Sequence, residues 1–529
     1  MTRASSAAAP IAWWPAEASV PLDRRAVGTV LRERAEAAPE ALALCWFGPQ
    51  RRLERMTYRE LHAAAARLAS ALQAEFAPQS RIAVWSPNAA EWLVLMYAVA
   101  LAGMILTPLN PALADGELAV LLEQSGADAI YATGTYRGSD LGKRARAVTA
   151  GRAVAVRSMA DAWVDVEPSS LVDVAADTPF LLQYTSGTTG RPKGVVLTHL
   201  AAVNSARFSN DALGLGTSDT RLVALPLHHV GGSVCTALPM LVCGGTVALE
   251  AGWDVDRAVD LVAASAATVL GGVPTMLLDL LDHAGVADGR LASVRLLSVG
   301  GSTVAPSLIR RLEATLGATV TVGYGQSEAP VTVTSRLDDS AEERATTIGY
   351  PLPHREMRIA DPVTGQVLRC GDVGELQIRS PLSMTGYWDD PDATSATIDA
   401  DGWLRSGDLC SMDERGMITF RGRLRDVIIR GGENIYPGEI EDVLIRHPQV
   451  ADVAVVGAPS DRWGEEPVAF VRPADGVAVD TGELDGWVRA HLAAFKRPRR
   501  WYVVDALPLT ASGKVQKYRL RERLDADRA

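Results

Sequence analysis

The chain has 529 residues, more than one hydrophobic core normally serves, so two or more domains are expected. Hydrophobic residues make up 48% of it and charged residues 22%, an ordinary globular balance. A net charge of −11 argues against a general nucleic-acid binder, which would carry a basic face.

The first residues, MTRASSAAAPIAWWP, hold one short apolar run and two prolines, a poor match to a secretory signal. Strand-like runs then alternate with helix-like segments: RIAVWS (81–86), ADAIYAT (127–133), ATVLGGVP (267–274), SVRLLSVGG (293–301) and ATVTVGYG (318–325). That rhythm predicts an α/β fold with mostly parallel sheets buried between helices. The uncharged stretch from Trp92 to Pro111 is long enough to span a membrane. Its Gly103, Pro108 and Asn110 favour instead a buried helix running into a buried strand, with no integral membrane association. The cysteines are Cys45, Cys235, Cys243, Cys370 and Cys410. None forms a C-x-x-C pair or a zinc spacing, and the scatter suits reduced, buried thiols of a cytoplasmic protein.

Residues 184–199 read YTSGTTGRPKGVVLTH, a glycine- and hydroxyl-rich loop between two apolar runs. Glycines let backbone N–H groups converge on an anion, hydroxyls donate further bonds and Lys193 adds charge, so the loop suits phosphate. It is not a Walker loop, because Pro192 precedes Lys193 and GVVLT reads as a strand, giving strand–loop–strand. The texture changes near residue 375. ELQIRS and GMITFRGRLRDVIIRGG read as strands and a hairpin. After them come helix, strand, strand, helix, strand and a basic tail, a small α+β unit. The boundary is placed inside RGRLRD, giving 1–424 and 425–529.

The loop TSGTTGRPKG resembles the signature of the adenylate-forming superfamily, and further motifs follow in that family's order along nearly the whole chain. The resemblance implies that Thr185, Ser186, Gly187, Thr188, Thr189, Gly190 and Lys193 hold the ATP phosphates. In SVGGS (298–302), Gly300, Gly301 and Ser302 would lie beside adenine. In GYGQSE (323–328), Gly323, Tyr324 and Gly325 would bind the nucleotide, with Tyr324 against the adenine; Ser327 would meet the α-phosphate, and Glu328 would hold Mg²⁺. In WLRSGDL (403–409), Asp408 would accept from the ribose hydroxyls. Ser327 and Ser406 stand where the family usually has Thr. In GRLRD (422–426), Arg423 would contact ribose or phosphate, and Arg425 falls on the hinge position, usually Lys or Asp. Gly431 and Gly432 of GGEN would line the channel for the CoA thiol. In LPLTASGKVQK (507–517), Lys514 would bridge the carboxylate and α-phosphate, although Leu509 replaces the family's Arg. PLHHVGG (226–232) places His229 beside the acyl site, with Ser233, Val299, Gly301 and Gly323 as further pocket residues.

The implied fold is a large N-terminal domain of stacked sheets with a small mobile C-terminal domain. The implied activity is ATP-dependent acyl-CoA ligation through acyl-AMP, with Lys514, Lys193 and Glu328 catalytic and ATP, Mg²⁺ and CoA required. Intact Lys193, Glu328, Asp408 and Lys514 argue against a non-catalytic relative. The segments expected to line the acyl pocket carry no charge except Glu328, so a neutral apolar tail is expected. A fatty acid is the first expectation and an aromatic or polycyclic acid the second. HHVGGSVCTALPM has no acid to hold an amine, which disfavours amino acids. A carrier protein as acceptor and a homodimer are left open by the sequence.

Overall fold

The computed structural model describes residues 10–526, apart from 168, 186–191, 301–303, 305, 431–432, 461 and 510–514. Two large sheets stack through a shared apolar layer. The first orders Gly386–Tyr387, Lys193–Thr198, Pro179–Thr185, Ile105–Leu109, Arg81–Trp85, Ala129–Ala132 and Ala155–Ser158, parallel from Pro179–Thr185 onward. The second has nine strands. Its parallel centre runs through Thr220–Val223, Val269–Gly272, Leu296–Gly300 and Thr319–Gln326.

Between them lies the helix Ala90–Leu101, in which only Glu91 is not buried. It is apolar all round because it faces a packed neighbour on every side. Trp92, Leu95 and Val99 join Ile82, Leu106 and Phe180 of the first sheet and Val223, Val247 and Leu249 of the second in one cluster. The predicted helix followed by the strand Ile105–Leu109 is therefore correct, and no described helix is long and apolar enough to cross a membrane. Gly28 lets its helix approach closely: a Cβ there would stand 2.9 Å from Leu101 Cα.

A third sheet of five strands, Trp13–Trp14, Glu356–Ala360, Gly374–Arg379, Leu404–Met412 and Ile418–Arg423, is wholly antiparallel. The sequence rhythm did not separate it from the other two. After the 3₁₀ turn Leu424–Asp426 the chain enters a fourth sheet: Glu433–Ile435, Ile428–Arg430, Gly464–Pro473, Val450–Ser460 and Arg500–Val503. The strand Ile418–Arg423 and the strand Ile428–Arg430 thus belong to different sheets. The hairpin forms between Ile428–Arg430 and Glu433–Ile435. Alternate residues of Val450–Ser460 serve two faces. Val453 and Val455 pack with Ile440, Leu444, Leu484 and Val488, while Ala454 and Val456 pack with Phe470, Leu520 and Leu524. The second face is covered by the helix Lys517–Ala526, which the sequence suggested only as a basic tail. Leu520 and Leu524, four residues apart, give that charged helix its apolar stripe. These cores share no residue with the others, so the C-terminal part is a separate domain.

The five cysteines are free thiols. His199 opens the helix His199–Leu213, is fully buried beside Phe180, and accepts at Nδ1 from Val27 N–H at 3.3 Å. Burial lowers its pKa from 6.5 to about 3. The unfolded chain binds this proton below pH 6.5 and the folded chain does not. The ring's contribution to stability is therefore full above pH 6.5 and declines on acidification toward pH 3. His199→Gln should flatten that decline. Between pH 7 and pH 5 the wild type should lose about 2 kcal/mol more unfolding free energy than the variant in urea titrations. Equal losses would contradict the assignment.

Candidate active site

The strands Pro179–Thr185 and Lys193–Thr198 form an antiparallel hairpin in which Thr185 pairs with Lys193. The predicted strand–loop–strand is therefore correct. Ser186, Gly187, Thr188, Thr189 and Gly190 lie outside the described residues. The hairpin fixes both ends of the loop, and Thr185 Oγ1 donates to the Lys193 carbonyl at 3.5 Å. Lys193 Nζ stands 4.8 Å from the centre of the Tyr387 ring, within cation–π range. Tyr387 donates from its hydroxyl to Glu328 Oε1 at 2.8 Å. Burial, then the neighbouring carboxylate, push the phenol's pKa up, so it stays a donor. Tyr387 was not singled out from the sequence. It reaches the site because Gly386–Tyr387 pairs with Val195 and Val196 on the sheet edge.

Glu328 is at the tip of a two-residue hairpin, since Gln326 pairs with Ala329. Just before it the register shifts at Gly325, where a Cβ would stand 2.5 Å from Val331 N. That bulge requires glycine and aims Ser327 and Glu328 out of the sheet. Gly300 pairs with Gly323 on the adjacent strands, and a Cβ on Gly300 would approach the Gly323 carbonyl to 2.7 Å. Gly323 faces open space on its own side.

Tyr324 joins the second sheet to the third: its hydroxyl donates to Asp408 Oδ2 at 2.6 Å. Burial and the Asp408 charge raise this phenol well above its usual value. Asp408 is buried and pairs across the sheet with Arg423, whose Nε lies 3.5 Å from Oδ1. Ser406 holds the turn before Asp408 by donating to the Leu376 carbonyl at 2.5 Å and accepting from Asp408 N–H at 3.1 Å. Glu375, also missed in the sequence, accepts from Gly407 N–H at 3.1 Å and from Arg405 Nε at 3.0 Å. Gln326, Glu328, Glu375, Tyr387, Arg405 and Ser406 line one cleft of about 250 Å³.

The acyl-side residues are more scattered. The helical run Val230–Cys243 includes a π-helical stretch, Ser233–Ala237. His229 caps it, with its ring 4.6 Å from that of buried His228. Ser233 is buried and its hydroxyl donates to the His229 carbonyl at 3.1 Å, so it serves the helix. Val299 points to the other side of the sheet, into the cluster with Leu277 and Ile309. Arg425 lies in the turn Leu424–Asp426, and burial lowers its pKa. Gly301, Ser302, Gly431, Gly432 and Lys514 lie outside the described residues.

The described residues contain no cluster of three or more His, Cys, Asp or Glu that would hold a metal alone. A single carboxylate, Glu328, held by Tyr387 beside a phosphate-suited loop, does fit Mg²⁺. That ion keeps waters and is commonly bound by one or two carboxylates together with substrate phosphates.

Residues 31–388 match the AMP-binding enzyme family, and residues 439–514 match the AMP-binding enzyme C-terminal domain. The chain belongs to the adenylate-forming superfamily. Its class is that of AMP-forming acid–thiol ligases. It is 36% identical to a feruloyl-CoA synthase from Amycolatopsis sp, over 93% of this chain and 97% of that one. It is also 36% identical to the 3-[(3aS,4S,7aS)-7a-methyl-1,5-dioxo-octahydro-1H-inden-4-yl]propanoyl:CoA ligase of Mycobacterium tuberculosis, over 94% and 99%. The fold matches that of ATP-bound MatB from Rhodopseudomonas palustris with a TM-score of 0.88 at 29% identity, covering 95% and 99%.

Tyr387→Phe removes the bond that holds Glu328 and leaves the ring under Lys193. The expected result is a KM for MgATP raised roughly tenfold, with the KM for the acid unchanged, because a hydrogen bond to a charged group is typically worth about 1.5–3 kcal/mol. An unchanged Mg²⁺ and ATP dependence in steady-state kinetics would show that Tyr387 does not position the carboxylate.

Proposed function

We propose that the protein is an ATP-dependent acyl-CoA ligase acting on an acid with an apolar body. The observation that carries this reading is a pair of ties that join three sheets: Lys193 of the first to Glu328 of the second through Tyr387, and Tyr324 of the second to Asp408 and Arg423 of the third.

A carboxylate oxygen is a poor leaving group toward a thiol. In the first step the acid's carboxylate attacks the α-phosphorus of ATP. An O–P bond forms, the bond to pyrophosphate breaks, and acyl-AMP results. Negative charge crowds the site, and fixed cations and N–H donors offset it. The loop 185–190 and Lys193 hold the departing pyrophosphate. Mg²⁺ held by Glu328 would neutralise charge on the phosphates. Asp408 takes the ribose hydroxyls, with Tyr324 and Arg423 fixing its two oxygens. Gly300, Gly301, Ser302 and Tyr324 border the adenine, and Ser327 meets the α-phosphate. Lys514 bridges carboxylate and α-phosphate.

In the second step the CoA thiol attacks the acyl carbonyl, AMP leaves, and the thiol proton passes to solvent. Lys514 must then withdraw. The domain 425–529 turns about Arg425, bringing the Gly431–Gly432 loop to the thiol's path, a hinge motion between two separately packed cores. Two features favour a bulky acid over an unbranched fatty acid. Gly231 and Gly323 both face open space, and two relatives at 36% identity are named for ring-bearing acids.

The test is incubation with ATP, Mg²⁺, CoA and a panel of carboxylic acids, reading acyl-AMP and acyl-CoA separately by mass spectrometry. Acyl-CoA from one acid class supports the ligase, and acyl-AMP alone points to a carrier protein as acceptor. Lys514→Ala should lose acyl-AMP formation, roughly a hundredfold or more by analogy with removal of one preorganised charge-stabilising donor. It should keep most thioester formation from supplied acyl-AMP. Equal loss of both steps would contradict the two-position account.

A further inference from the structure

Arg221 is 2% exposed, yet no carboxylate among the described residues faces it. It lies on the strand Thr220–Val223, and its one side-chain hydrogen bond among the described residues is a long one, Nη1 to the Cys235 carbonyl at 3.4 Å. Its Nε is buried with no partner. The guanidinium extends along the sheet toward Gly271, where a Cβ would stand 3.1 Å from Nη2. Gly271 is in register with Ser298 and Thr321 on the next two strands. By the two-residue alternation of strands, Gly300 and Gly323 share that face, two residues farther along. Ser298, Gly300 and Gly323 are partly exposed although Leu297 and Val299 are buried, so this face, and not the opposite one, is the one solvent reaches toward the strand ends. The π-helical stretch carrying Cys235 and Thr236 covers the same face, and the Cys235 side is partly exposed as well. Arg355, 1% exposed, is a second guanidinium acting on the Cys235 thiol, and its Nε also has no partner. Among the described residues its side chain donates to the Pro353 carbonyl at 2.8 Å and Ser205 Oγ at 3.0 Å.

We propose that Arg221 is the far end of the acyl site and receives an acceptor oxygen, carboxylate or ketone, on the part of the acid remote from the reacting carboxylate. This rests on the ligase reading and makes the far end of the acid polar rather than wholly apolar. Two residues of strand separate Gly271 from the Gly300–Gly323 rim, about 7 Å, which fits a compact acid carrying oxygen across one ring. A buried guanidinium without a counter-charge is costly in the empty protein, and a substrate oxygen offsets that cost. Burial lowers the Arg221 pKa only to about 10, so it is cationic at neutral pH. Arg355 adds positive potential at Cys235, on the stretch that covers the same face.

The experiment compares three acids by acid-dependent pyrophosphate release: cyclohexanepropanoic acid, 3-(4-oxocyclohexyl)propanoic acid and 3-(4-carboxycyclohexyl)propanoic acid. Wild type should favour one or both oxygenated acids over the plain acid in kcat/KM by roughly tenfold to a hundredfold. Which of the two leads identifies the ketone or the carboxylate. Arg221→Met should reduce that advantage to less than twofold, handle the plain acid at least as well, and melt at an equal or higher temperature. Arg221→Lys, which keeps charge but loses the planar fork, should retain part of the preference and serves if the Met variant does not fold. A preference for the plain acid, or an advantage that survives Arg221→Met, overturns the proposal. So does a lowered melting temperature with an unchanged ratio, because Arg221 is then structural. Turnover of acids without preference removes this inference alone, whereas no pyrophosphate from any acid removes the ligase reading itself.

Discussion

The site depends on one line of contacts, Lys193 over the Tyr387 ring and the Tyr387 hydroxyl on Glu328. Lys193 closes the phosphate-suited loop, and Glu328 is the carboxylate suited to Mg²⁺. They come from different sheets, so their spacing is not set by any one element. Tyr387 sets it, from the short strand that pairs with the loop's own hairpin. A triphosphate and a metal need a cation and an anion at fixed separation, because both act on the same cluster of oxygens. The second tie, Tyr324 to Asp408, does the same for the residues proposed to hold the nucleoside, by joining the central sheet to the antiparallel one.

This arrangement explains why the large domain stacks two parallel-rich sheets and adds a third. Parallel strands end together, and their C-terminal ends form a crevice where ligands sit. Gly300 and Gly323 are at such ends, and small residues there let the strands and a ligand come close. The third sheet brings Asp408 and Arg423 as a cross-strand pair, and the chain then leaves directly into the turn that holds Arg425. Only one short turn therefore separates Arg423, in the proposed nucleotide site, from the C-terminal domain. In the proposed hinge motion, a rotation at that turn would carry the C-terminal domain while leaving the three sheets of the large domain in place.

Much of this was legible in the sequence, for identifiable reasons. The loop 184–199 announced itself because glycine, hydroxyl and lysine were concentrated between apolar runs. Glu328 was named from the resemblance of GYGQSE to the family's motif, and the bulge that requires Gly325 gives that glycine its physical reason. The buried helix Ala90–Leu101 was legible because it lacks charge for its whole central length. Tyr387 and Glu375 were not, because each lies far in sequence from the residue it holds, and a lone Tyr or Glu carries no local pattern. Arg221 was missed for a related reason: a basic residue in a strand normally reads as solvated, and only the covering helix makes it buried. Val299 was assigned to the pocket by its neighbours in the motif, but strand alternation sends its side chain behind the sheet. The helix Lys517–Ala526 was read as a tail because its two leucines are a thin apolar signal amid six charged residues.

The central claim is that the acid's own oxygen attacks the α-phosphorus of ATP at the proposed site that includes Lys193, Glu328 and Asp408. The direct measurement uses an acid substrate labelled with ¹⁸O in its carboxylate, with ATP, Mg²⁺ and CoA, and weighs the released AMP by mass spectrometry. The account predicts AMP carrying one ¹⁸O atom for each acyl-CoA formed. Unlabelled AMP, or ADP and phosphate in place of AMP and pyrophosphate, would contradict it.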